Sequence, residues 1–165
     1  EFRRVLFRST SSGVIGPTAT TTGTVHDFSG IPAAATKIEI CLSGVSLSGA
    51  DAFLLQFIVA GSAITFGYRS TEAVTNSTAT SSGSATNGIY INPALAPTLT
   101  SGIITMLRVP GTNNWVFTTL VMRDTTTVRY GAGDMALVNP VSGIRLTRDG
   151  TNTFDAGSVF VRWSI

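Results

Sequence analysis

Short apolar runs broken by Gly, Pro, Asn and Asp recur along this chain, and the spacing of an amphipathic helix is weak throughout. Lys37–Leu42 alternates cleanly, with Ile38, Ile40 and Leu42 on one face and Lys37, Glu39 and Cys41 on the other. Ala52–Ala60 is denser: Phe53, Leu55, Phe57 and Val59 share one face, Leu54 and Ile58 the other. Two apolar faces predict a central strand, covered twice by its own chain or once by a partner. Further strands are predicted over Thr21–Phe28, Ala63–Arg69, Gly88–Asn92, Gly102–Val109, Asn114–Arg123, Asp134–Val138, Gly143–Arg148 and Gly157–Ile165. In the last, Val159, Val161, Trp163 and Ile165 share a face.

Turn residues separate these runs at Ser29–Pro32, Ser48–Asp51, Pro110–Asn113, Asn139-Pro140 and Asp149–Asn152, with a hairpin candidate at Gly61-Ser62. Residues 70–88 hold almost no large apolar group and read as a long exposed loop. Asp124–Gly133 reads as a second loop with a brief strand near Val128, and Pro93 to Pro97 as a connection. The pattern predicts an all-β chain, an antiparallel jelly-roll-like β-sandwich of about ten short strands. Residues 21–165 form the predicted sandwich, and 10–20 a flexible arm or linker. No βαβ unit and no repeat of fixed period is visible.

Composition agrees. Hydrophobic residues make up 43%, enough for a core, while charged residues are only 12% against a usual quarter or so. The polar surface must therefore come from Thr, Ser, Asn and Gly; there are 25 threonines, a β-branched type that suits a pleated sheet.

Glu1-Phe2-Arg3-Arg4-Val5-Leu6-Phe7-Arg8-Ser9 matches, codon for codon, the in-frame translation of a common short-read sequencing adapter, GAG TTC AGA CGT GTG CTC TTC CGA TCT. We therefore expect residues 1–9 to be foreign to the fold and the chain to be a metagenomic fragment without its true start. The net charge of +2 then disappears, because Arg3, Arg4 and Arg8 against Glu1 account for it. The remaining arginines are scattered, so no phosphate-tracking stripe is present and no nucleic-acid partner is expected. Cys41 is the only cysteine, which excludes an internal disulfide and a Cys-rich zinc site. No apolar run approaches the roughly 20 residues of a membrane-spanning helix, and no membrane insertion is expected.

Two ordered stretches carry a resemblance. The first runs Phe28-Ser29-Gly30-Ile31-Pro32, then Lys37-Ile38-Glu39-Ile40, then Leu42-Ser43-Gly44-Val45-Ser46 with Gly49. The second runs Gly143-Ile144-Arg145-Leu146-Thr147, then Gly150-Thr151-Asn152-Thr153-Phe154-Asp155-Ala156-Gly157-Ser158. Together they resemble a family of tailed-bacteriophage virion proteins, some of them tail-fibre or structural proteins, over roughly Gly23 to Ile165. The chain departs from the family pattern in three places: Gly131-Ala132-Gly133 stands for a longer Gly-rich run, Ser142-Gly143 for an Asp-Arg, and Val161-Arg162-Trp163-Ser164-Ile165 for the usual ending. The resemblance implies a non-enzymatic virion module, tail-fibre or tail-associated. Its implied location is the virion, its partners further copies of itself (a trimer favoured) and other virion proteins, and its tasks assembly and attachment to a host surface. No cofactor or metal is implied.

In that setting the motif residues read as structural. Gly30 and Pro32, after Phe28, fit a turn into the sheet. Lys37 fits a strand edge, its stem covering apolar surface. Gly44 and Gly49 fit positive-φ or bulge positions, and Phe154, Asp155 and Gly157 a core plug and tight corner. Chemistry is sparse. His26 beside Asp27 lacks a nucleophile at recognisable spacing and reads as a surface histidine, and a Cys41–His26 pairing is disfavoured. Asp149 to Asp155 lacks the ligand alternation of a calcium loop and reads as a turn. Asn76-Ser77-Thr78 matches a glycosylation acceptor by chance of composition. A carbohydrate-binding module for cell-surface glycans is the alternative function, and a hydrolase a distant third. Of the aromatics that a sugar face would use, Trp115 and Tyr68 read as packing residues and Tyr90 is an unassigned candidate. Arg69, Arg129 and Tyr130 are the candidates for exposed contact.

Overall fold

A computed structural model describes residues 11–75, 80–93, 96 and 98–165. The adapter-like segment 1–9 and the Asn76-Ser77-Thr78 sequon lie outside the described residues. Thirteen strands follow one another without a helix among the described residues: β1 Ser12–Ala19, β2 His26–Ser29, β3 Lys37–Leu47, β4 Ala52–Val59, β5 Ser62–Ala63, β6 Arg69–Thr75, β7 Thr80–Ala85, β8 Ile89–Pro93, β9 Thr100–Arg108, β10 Asn114–Arg123, β11 Thr127–Ala136, β12 Gly143–Arg148 and β13 Phe154–Ser164.

All pairings are antiparallel. Eight strands form one sheet in the order β1-β13-β3-β9-β10-β11-β6-β7; β2-β12-β4-β5 form the other, with β8 also paired to β4. The chain passes repeatedly between the two sheets, and the expected antiparallel sandwich is what it builds. Both inner faces supply one core. Ile38, Ile40 and Leu42 of β3 and Val159 and Val161 of β13 meet Phe53, Leu55 and Phe57 of β4 and Ile144 and Leu146 of β12. Phe57 stacks on Tyr68 at 6.1 Å and tilts against Trp115 at 5.7 Å. The Phe57 N–H donates to the Tyr68 hydroxyl oxygen at 2.7 Å, so a side chain serves the β4 backbone between its partners β5 and β8. Burial pushes the Tyr68 hydroxyl far above its ordinary pKa and keeps it neutral.

Every residue of β4 is buried. Of the two arrangements its pattern allowed, cover from its own chain is the one found. Gln56 on its outer side donates to the Asn87 carbonyl at 2.8 Å, and Gly88 lies against Leu54.

Four expectations need correction. Residues 10–20 are not a loose arm: β1 pairs with β13, Ser12 opposite Ser164, and Ile15 packs against the core. Thr20 is fully buried and donates through its hydroxyl to Ala156. Residues 70–88 are not one loop, because β6 and β7 pair there. Asp124–Gly133 is not a loop either, since most of it belongs to β11, which pairs along its length with β10 and from Val128 to Asp134 with β6. Conversely, Thr21–Phe28 is strand only from His26 on, and Ala63–Arg69 only at its two end residues, which close β5 and open β6. In β6, β7 and β11 the inward positions include Ser70, Glu72, Gly83, Arg129, Gly131 and Gly133, so no hydrophobic alternation marks them. Neighbours supply the bulk instead: the Tyr90 ring fills the space beside Gly83, and the Phe117 ring that beside Gly133.

Candidate functional site

The glycine motifs are structural. Gly44 has φ of 62° and Gly157 of 90°, and the β3–β13 and β3–β9 ladders shift register around them. This is the bulge expected for Gly44. Gly49 is different: its φ is not positive, and the Asn152 side chain takes up the space a Cβ would need. Gly30 turns the chain at φ of 94° after the buried Phe28, and Pro32 accepts from the Ala35 N–H at 2.9 Å. Phe154 is buried against Phe53 and His26, while the Asp155 carboxylate accepts from the Ser46 hydroxyl. Asp51 and Asp149 accept from the Asn152 and Ala52 N–H groups, each at 2.7 Å, and so tie two turns together. Among the described residues no group of three or more His, Cys, Asp or Glu side chains could hold a metal ion.

His26 is not a plain surface residue. Its ring meets Phe154 edge-on at 4.8 Å, its Nε2 is buried without a partner, and desolvation lowers its pKa against the opposing effect of Asp27. Asp27 is held by a two-pronged contact with Arg145, 2.8 Å on each prong, which lowers its pKa. Cys41 lies on β3 of the eight-stranded sheet, whereas His26 is on β2 of the other. Burial raises the Cys41 pKa, which disfavours the thiolate that a nucleophile needs.

The exposed-contact candidates separate. Arg129 is not on a loop or free for contact: it points inward from β11 and pairs with Glu72 at 3.2 Å, their side chains 11% and 1% exposed. Tyr130, its neighbour, points outward and is 52% exposed. Arg69 is exposed and grips Asp134 with both prongs, at 2.8 and 2.5 Å. Beside that pair a shallow depression of about 620 Å³ is lined by Thr71, Ser84 and Ala85. Trp115 and Tyr68 are buried packing residues, and Tyr90 is partly buried. Lys37 opens an interior strand rather than a sheet edge, and its ammonium pairs with Glu39 at 2.9 Å.

A feature that the sequence reading passed over is the outer face of the eight-stranded sheet. The registers align Phe160, Cys41, Ile103, Leu120, Tyr130 and Ala73 across six neighbouring strands, a row with no charge. Met122 and Val128 pair beside it on one side, and Leu107 and Val116 lie on the other. Leu120 is 61% exposed and Val116 46%, with Ile103, Leu107, Met122 and Val128 between them. The charges on this face are paired within it: Glu39 bridges Lys37 and Arg162, and Asp134 holds Arg69. The signal was present in Asn114–Arg123, where Trp115, Phe117 and Val121 alternate with Val116, Leu120 and Met122 as plainly as the two faces of β4 do.

In comparisons with family models, curated proteins and solved structures, nothing matches this chain.

Proposed function

We propose that this chain is a non-enzymatic structural module of a tailed-phage virion, in the tail fibre or a tail-associated part, working by assembly and host-surface attachment. The virion assignment is supported by the resemblance of the motifs around Gly30, Gly44 and Gly157. The single structural observation that supports assembly is the charge-free apolar row across the outer sheet face. Exposed apolar patches of this extent mark interaction surfaces. The interior, by contrast, is occupied by packing and by an ion pair turned onto itself. Immunogold labelling of purified phage particles from the source community, with an antibody to this chain, tests the reading. Labelled tails are the expected result, and particles that carry none of the antigen would overturn it.

A second reading has its own observation. The depression beside Arg69 and Asp134, with hydroxyls from Thr71 and Ser84 and with Tyr130 on the same sheet face, has the mixture of polar groups and aromatic surface that a glycan contacts. Binding on a glycan array that is lost in Arg69→Ala would favour attachment as the main task.

A further inference from the structure

We propose that the outer face of the eight-stranded sheet seats a second copy of this chain, face to face about a two-fold axis. The inference deepens the assembly reading and rests on it only in taking this face as an interface.

Three features of the face identify the occupant. The first is size. The strands from β13 to β6 number six. At about 4.8 Å between strands and about eight residues of ~3.3 Å each, they offer on the order of 800 Å². A stable interface takes about 800 Å² from each partner. The second is charge. The carboxylates of Glu39 and Asp134 already hold Lys37, Arg162 and Arg69, so the face has little to offer a strongly charged partner. Its apolar centre with a paired ionic rim has the composition of an interface between like subunits, whose buried centres are the more apolar.

The third feature is that the patch stands alone. A three-fold or filament contact joins two different patches, whereas a two-fold contact joins one patch to itself. Elsewhere on the described surface the large exposed apolar residues are scattered singly: Val14 lies on β1, opposite Arg162, and others such as Phe66 and Val138 stand in the connections between strands. One face without a counterpart is self-complementary. Two stacked sheets with aliphatic side chains between them would repeat the packing inside the sandwich. This replaces the trimer that the resemblance implied.

Analytical ultracentrifugation of the purified chain reads the outcome. The expected species has twice the 17.2 kDa chain mass. Leu120→Glu, at the centre of the apolar row, is expected to weaken the pair at least a hundredfold, and Leu120→Ala about tenfold. Val138→Glu, off the face, is expected to leave it unchanged. Circular dichroism of each variant confirms that the sandwich persists, and Leu120→Ala keeps the test valid if the glutamate variant does not fold. A monomer at 100 μM (roughly the upper limit for a functional pair), a trimer, or a dimer indifferent to both Leu120 variants would overturn the proposal. A dimer missing from phage particles would remove the virion reading and leave the pairing intact. A monomer present on particles would do the reverse.

Discussion

The carbonyl oxygen of Gly44 occupies the space that a side chain on Gly157 would need. Both residues have positive φ, but nothing lies within 4 Å of the Cβ position of Gly44 itself. The two glycines of one bulge therefore differ in what they tolerate. Gly44→Ala meets only backbone strain and is expected to destabilise by roughly 1 kcal/mol. Gly157→Ala adds a collision with the neighbouring strand and is expected to lose roughly 2–4 kcal/mol. Urea unfolding of the two variants checks the order, which would be reversed or equal if the bulge were not tight.

Glu72 and Arg129 are buried together at the β6–β11 ladder, and burial lowers the Arg129 pKa against the pull of Glu72. Arg129→Met removes the cation beside a carboxylate that is 1% exposed and is expected to cost about 3 kcal/mol. The double variant Glu72→Leu with Arg129→Met is expected to recover much of that loss, because two apolar side chains need no desolvated charge. A double-mutant cycle by chemical denaturation measures the coupling.

Strand β1 closes the edge of the large sheet against β13. Removing residues 1–20 takes away Ile15 and the buried Thr20 and bares the edge of β13. Relative to a chain that starts at Ser11, the truncated protein is expected to melt roughly 5–10 °C lower. It is also expected to aggregate on heating, since an open edge is a template for pairing. Differential scanning calorimetry with light scattering reads both effects.

Acid acts on this fold in two windows. Hydrogen bonds from Arg162 and then Lys37 hold the Glu39 carboxyl below its ordinary pKa, and Arg145 does the same for Asp27. The unfolded chain takes up these protons at higher pH. The stability from both pairs is thus complete above about pH 4.3 and is lost as pH falls through the lower folded values. The exposure of Asp27 and Arg145 makes their share the smaller. Burial lowers the pKa of His26 as well, so its contribution is complete above about pH 6.5 and declines as pH drops through the folded value. Urea midpoints between pH 8 and 2 are expected to fall in two steps. His26→Phe, which keeps a ring against Phe154, removes the upper step, and Glu39→Gln reduces the lower.

Strands whose inward side chains are aliphatic were legible in the sequence. Gly143–Arg148 matches β12 in full, Ala52–Ala60 matches β4 to within a residue, and Lys37–Leu42 finds the first half of β3. Beyond Leu42 the bulge at Gly44 shifts the alternation, so Val45, Ser46 and Leu47 are all buried and no period-two pattern survives. The strands β6, β7 and β11 were illegible for another reason. Apart from Val74, Thr127 and Met135, their inward positions include glycine, serine and an ion pair, and the volume beside Gly83 and Gly133 comes from Tyr90 and Phe117 on other strands. Arg129 and Tyr130 show the cost of that gap: a loop exposes both, whereas adjacent positions on a strand point to opposite faces. The apolar row on the outer face depends on registers between six strands, which no local pattern reveals.

Ser12 lies opposite Ser164, and the Ile165 N–H donates to the Ser11 carbonyl at 2.9 Å. Strand β1 therefore starts and β13 finishes at one corner, with a gap of about 5 Å between them. A carrier protein can hold the whole sandwich as an insertion at a single tight loop. Tension through such a mounting would not stretch the β1–β13 ladder along its length; it would peel the rungs apart one after another from that corner.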